Sequence, residues 1–189
     1  MSVFEKSTFA KMFEAAELCR ARALDIPMLV LIYTAMDTLA WALYREKIQG
    51  VRVRFTALCD NYILPGSGIQ CTALELYAAR CSVLHTLGWE SDLSKSDKAR
   101  SVFYSFGTDD PTLAQAALDL TNPGKFVSLK ADDLLVAVRA AVETLAMLAS
   151  KDEELANRLS LAAGKQYRSF ESAAGDRIFE AFIEKMQSK

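Results

Sequence analysis

Apolar residues in this chain recur at intervals of three and four over long stretches, a spacing that suits amphipathic helices packed on one another. The clearest stripe is Leu134, Leu135, Val138, Val142, Leu145 and Leu148, preceded by Asp132 and Asp133, which favour the positive end of a helix. A second long helix is expected from Asp25, as its cap, through Pro27 in the first turn to about Gln49, ending at Gly50. One of its faces carries Leu29, Ile32, Met36, Leu39 and Leu43 as core. The other carries Val30, Tyr33, Asp37, Trp41 and Tyr44. An aspartate among aromatics needs a cationic partner, because an unpaired buried charge is costly. Arg80 is the first choice for that partner and Arg45 the second.

Capping boxes at Ser2 with Glu5 and at Ser150 with Glu153 open a first helix, to about Leu24, and a late one, to about Ala163. The segment 51–63 reads as a short helix, and Asp109-Asp110-Pro111 caps another that runs through Leu120. Two β-prone runs, Ser101–Phe106 and Phe126–Leu129, can pair as a small antiparallel ribbon. The expectation is a mainly α-helical bundle with at most a small two-stranded ribbon. It forms a single domain over 1–189, with residues 165–189 as a C-terminal extension. That extension carries an apolar patch at Ile178, Phe179, Phe182 and Ile183, suited to docking on the body or on a partner.

Half of the 189 residues are apolar, enough to bury one sizeable core. A formal net charge of -2 excludes a strongly basic protein that coats nucleic acid non-specifically. The apolar run from Ile26 to Leu43 is interrupted by Thr34, Asp37 and Thr38, so no membrane span is expected. The first residues hold acidic side chains and no continuous apolar stretch, unlike a signal peptide. Cys19, Cys59, Cys71 and Cys81 show no CxxC spacing and read as reduced core thiols of a cytoplasmic protein.

The stretch Gln70–Trp89 holds the residues with the most chemical content. Leu74, Tyr77, Cys81 and Leu84 give it helical spacing, and Gly88 marks its end. The single histidine, His85, sits in the last turn, five positions after Arg80. An arginine can hold a phosphate and a histidine can move a proton near neutral pH. The plainer reading is a helix-end histidine and an arginine paired with Asp37. Residues five apart on a regular helix diverge by about 140°. The pair is therefore expected to share a ligand only if the helix distorts or two copies of the chain supply one groove.

Arg80-Cys81-Ser82-Val83-Leu84-His85 fits the pattern RxxxxH, and late in a helix that follows a long helix it resembles the HEPN superfamily, over about 27–148. Many members have a polar residue where this chain has Cys81, and a subset has a tyrosine where it has Leu87. Ser82 is the nearest polar substitute. The resemblance implies a metal-independent endoribonuclease, or an RNA-binding relative of one, in a toxin–antitoxin or phage-defence system, acting as a homodimer without a cofactor. His85 would be the general acid or base and Arg80 the phosphate ligand, with Asp37 and Ser82 behind them. Arg45, Lys47, Arg52 and Arg54, with Tyr44 and Phe55 nearby, form the densest basic cluster and suit single-stranded RNA, although a solvated helix end is the plainer reading. Lys95, Lys98 and Arg100 form a weaker second patch. The competing expectations are a non-catalytic helical interaction protein that binds a cognate protein partner and a metal-free enzyme acting on another phosphate ester.

Overall fold

The computed structural model of the chain describes residues 8–164. Among them the order of elements is α1 (Thr8–Ala21), α2 (Asp25–Tyr44), α3 (Val51–Leu58), a π turn (Cys59–Ile63) and α4 (Ala73–Thr86). There follow α5 (Asp92–Lys95), β1 (Ser101–Ser105), α6 (Pro111–Thr121), β2 (Phe126–Lys130), α7 (Ala131–Ala149) and α8 (Glu153–Gly164). The Ser2–Glu5 capping box and the extension 165–189 lie outside the described residues.

The centre of the structure is α2. It packs against α1, α3, α4, α7 and α8, and ten of its residues, from Met28 to Leu43, are buried. This helix is long and apolar enough to cross a membrane by length and composition, and in this fold more than half of it is buried against protein. Its partners contribute Phe13, Phe55, Leu58, Leu76, Leu134, Leu135, Val138 and Leu145 to one continuous core. At the spacing of a helix, the α7 stripe read from the sequence supplies the last four of these.

Several boundaries differ from the sequence expectation for local reasons. The second helix stops at Tyr44, because Gly50 (φ 88°) serves as the residue that starts α3 rather than the one that ends α2. Leu24, with no side-chain cap, precedes α2, and Asp25 lies inside its first turn. Asp152, not Ser150, caps α8 by accepting from the Leu155 amide at 3.0 Å, while the Ser150 hydroxyl turns back to the Met147 carbonyl. Thr72 and Glu75 make a reciprocal capping box at the start of α4, with bonds of 3.2 and 2.7 Å. The cap at Asp110 with Pro111 as first residue of α6 is as the sequence indicated.

The ribbon is parallel, in the register Ser101↔Phe126 to Ser105↔Lys130, not antiparallel. Its connection carries α6, and 11 helical residues span about 16 Å. A five-residue strand spans about 17 Å, so the helix returns the chain to the starting end and β2 leaves in the direction of β1. Gln115 ties α6 to β2: its Oε1 accepts from the Ser128 amide at 2.7 Å and its Nε2 donates to the Phe126 carbonyl at 3.3 Å. The hydroxyls of Tyr33 and Tyr104 meet at 2.5 Å and join α2 to β1.

Glu75 joins α4 to the segment entering β1. Its carboxylate is buried and accepts from Arg100 Nε at 2.5 Å and from Nη2 at 3.1 Å. Burial pushes the Glu75 pKa up, but the Arg100 and Thr72 hydrogen bonds outweigh it and hold the group below its ordinary 4.5. A carboxyl depressed in the folded state stabilises the fold above its unfolded pKa and loses that contribution as pH falls through the folded value. The melting temperature should therefore drop on acidification below about pH 4.5. Glu75→Gln should melt lower at neutral pH and show a shallower acid decline in thermal scans. Parallel declines for the two proteins would show that Glu75 contributes nothing to acid stability.

Candidate functional site

Of the residues singled out in the sequence, Asp37, Arg80 and His85 gather where α4 packs against α2. The helix packs on α2, α3 and β1, burying Leu76, Ala79 and Val83. It closes at Leu87, which takes left-handed backbone (φ 51°), and the Gly88 amide bonds back to the Ser82 carbonyl at 3.2 Å. This closure leaves His85 exposed in the last turn, with Arg80 half-buried one turn and a half earlier.

Asp37 pairs with Arg80, the first of the two partners considered for it. Arg80 Nε donates to Asp37 Oδ2 at 2.7 Å and Nη2 donates to the same oxygen. The side chains are 15% and 21% exposed, so the pair is largely shielded from solvent screening. Asp37 Oδ1 is buried and has no hydrogen-bond partner among the described residues. Burial opposes the Arg80 charge, but the hydrogen-bonded Asp37 carboxylate prevails and raises the arginine pKa.

The third guanidinium nitrogen reaches the histidine. Arg80 Nη1 lies 3.2 Å from His85 Nε2. An arginine only donates, so in a hydrogen bond between them Nε2 is the acceptor. This corrects the expectation that an intact helix would leave the pair split. The helix runs unbroken from Ala73 to Thr86, and the length of the arginine side chain bridges the divergence of the two Cα–Cβ directions. An imidazole and a fixed guanidinium therefore share one edge of the protein, with the histidine on the solvent side.

Other residues expected at the site have different surroundings. Ser82 is buried, and its hydroxyl donates to the Ala79 carbonyl at 2.9 Å within its own helix. Arg45 is 10% exposed, with its guanidinium 4.6 Å from the centre of the Trp41 ring and Nη2 bonded to Glu46 at 3.1 Å. Lys47 pairs with Glu154 at 3.2 Å, and Arg54 donates to the Ile48 carbonyl at 3.2 Å. Arg52 is exposed beside a cleft that it shares with Thr56 and Thr72. The basic cluster thus separates into a stacked arginine, two internally bonded cations and one exposed arginine.

Two neighbours of Arg80 escaped the sequence reading as site residues. Cys81 Sγ lies 4.0 Å from Arg80 Nη1. Tyr77 interacts with Cys81, and burial leads the causes that raise its phenol pKa. Their four-residue separation on α4 was the available signal, since such positions share a helix face. All four cysteines are free; Cys59 and Cys71 are buried, and burial pushes the Cys71 thiol up to about 12. Among the described residues no three His, Cys, Asp or Glu side chains gather in a way that could hold a metal ion. No protein-family model, curated protein or solved structure matches this chain.

Replacing Asp37 tests the pair directly. Asp37→Asn keeps the shape but removes the countercharge of a largely buried arginine, at a cost of about 1–3 kcal/mol. Urea denaturation should show that loss with an unchanged slope. A variant as stable as the parent would mean that solvent compensates Arg80 without Asp37.

Proposed function

We propose that this chain is a HEPN-like, metal-independent endoribonuclease, with His85 and Arg80 as its catalytic residues and RNA as its substrate. The 3.2 Å approach of Arg80 Nη1 to His85 Nε2 is the observation that supports the reading most. Asp37 fixes the guanidinium through two other nitrogens and so leaves Nη1 directed at the histidine. A phosphodiester bound at Nη1 would displace the imidazole contact and release the Nε2 lone pair beside the scissile group. His85 then accepts the proton of the 2′-hydroxyl, and the 2′-oxygen attacks phosphorus while the bond to the 5′-oxygen breaks. Arg80 stabilises the charge that grows on the phosphoryl oxygens, and His85 passes the proton it accepted to the leaving 5′-oxygen. The products are a 2′,3′-cyclic phosphate and a 5′-hydroxyl.

A second reading draws support from the engagement of Arg80 with Asp37, Cys81 and His85 and from its 15% exposure. With the guanidinium locked in this way, the chain would be an RNA-binding relative, or an interaction protein for a cognate partner of a toxin–antitoxin or phage-defence pair. Cys81, beside Arg80, fits that reading as well as the first.

Cleavage separates them. Acid, base and charge stabilisation are all assigned to side chains, so RNA should be cut in EDTA, and a 2′-deoxy residue at the cut should block the reaction. His85→Ala should lower the rate about 10²–10⁴-fold and Arg80→Ala about 10²–10³-fold, both with an unchanged helical circular dichroism signal. RNA binding without cleavage would select the second reading, and cleavage that survives the double variant would remove Arg80 and His85 from the chemistry.

A two-fold dimer across the exposed end of α4 belongs to the same proposal, because it would line one groove with two copies of the pair. Light scattering should give twice the chain mass, and monomer at all working concentrations would discard the dimeric form.

A further inference from the structure

A cleft of about 770 Å³, within the range of ligand sites, is lined by Glu75 in the first turn of α4, by Trp89 and Glu90 after its last, and by Lys95, Lys98 and Phe126. Trp89 is 60% exposed, an unusual position for so large an apolar ring, and its centroid lies 5.7 Å from that of Phe126 at an angle of 32°. The ring follows directly after the closed end of α4, which holds the adjoining backbone through the Gly88–Ser82 bond. Arg100 and Lys125 are committed to Glu75 and Asp97. Lys95 and Lys98 are exposed and have no ion pair among the described residues; Glu90 also lines the cleft, so these two lysines leave its unpaired charge positive by one. An open aromatic face with unpaired lysines beside it matches the chemistry of an unpaired nucleobase and its phosphates.

We infer that this cleft binds single-stranded RNA, with one base stacked on Trp89 and the adjacent phosphates held by Lys95 and Lys98. This assignment rests on the ribonuclease reading for its choice of RNA and supplies the strand-holding site that the dispersed Arg45–Arg54 cluster does not form. Trp89 lies four positions after His85, so their Cα atoms lie no more than about 14 Å apart. A strand stacked on Trp89 therefore reaches the Arg80–His85 edge within a few nucleotides. Stacking requires a base free of its own helix, so the cleft selects single strands over duplexes.

The test uses full-length His85→Ala protein, so that binding is read without turnover, and a short fluorescein-labelled oligouridine followed by anisotropy. Trp89→Ala in that background should weaken binding about 5- to 150-fold, the loss of one stacked base. Trp89→Phe should retain most of the affinity. Lys95→Ala with Lys98→Ala should weaken binding and flatten its dependence on salt by about one to two phosphate contacts. Unlabelled oligouridine should quench tryptophan emission, and Trp89→Phe should abolish the quench while binding persists. A duplex of the same length should bind more weakly and be indifferent to Trp89→Ala. Parent-like affinity in both Trp89→Ala and the double lysine variant would overturn the assignment, as would equal loss with duplex and single strand. Cleavage by the parent protein reports separately on the ribonuclease reading: weakened binding with no cleavage anywhere keeps the cleft and discards the nuclease, and cleavage with unaltered binding does the reverse.

Discussion

A carboxylate carried on the most buried helix of the fold is the constraint from which the local arrangement follows. α2 contacts five other helices, and Asp37 lies on it between the buried Met36 and the half-buried Thr38. A charge in that position must be matched, and a planar guanidinium with several donors does so with little rearrangement. Arg80 spends Nε and Nη2 on Asp37, and this commitment fixes the angle at which Nη1 leaves the pair. The approach to His85 is thus set by an interaction on a different helix, and α4 docks in the one rotation about its axis that lets Arg80 reach α2 while Leu76, Ala79 and Val83 enter the core.

The remainder of the structure supports that rotation. Thr72 and Glu75 fix the start of α4, and Arg100 locks Glu75 to the chain entering β1. Leu87 in left-handed backbone stops the helix immediately after the turn that bears His85. The Tyr33–Tyr104 contact and the stacking of Tyr33 and Phe55, with ring centres 6.4 Å apart, join α2 to β1 and α3 behind the site. Each end of α4 is therefore held by a different kind of force: ionic and hydrogen-bonded at the start, backbone closure at the end. The edge that carries His85 is exposed while everything behind it is packed, the arrangement in which a polar group can meet a ligand at little reorganisation cost.

The helices were legible because their faces are wide and periodic. The Leu134–Leu148 stripe marked α7 and the Leu29–Leu43 stripe marked α2, with cap residues at Asp110 and Pro111 placing α6 to within a residue. The short elements were less so. Gly50 is consistent with the end of one helix or the start of the next, and only the packing of α3 on α2 decides between them. Ser150 and Asp152 offer competing caps two residues apart, a choice that backbone geometry makes and composition does not. The direction of β2 depended on the length of α6 relative to the strands, a quantity to which strand propensity is blind.

The candidate site divides in the same way. The sequence by itself determined that Asp37 would need a cation, that Arg80 and His85 would lie near the end of one helix, and that Arg45–Arg54 would be rich in charge, because these follow from residue type and spacing. Tertiary structure alone decided that Arg80 rather than Arg45 answers Asp37, and that Arg45 turns onto Trp41 instead. It also decided that Ser82 is spent within its helix and that Trp89 stands beside Phe126, 37 residues away in the chain. Partner choice among similar side chains is a matter of distance and angle between separate elements, and periodicity along one element carries no information about its rotation against the next.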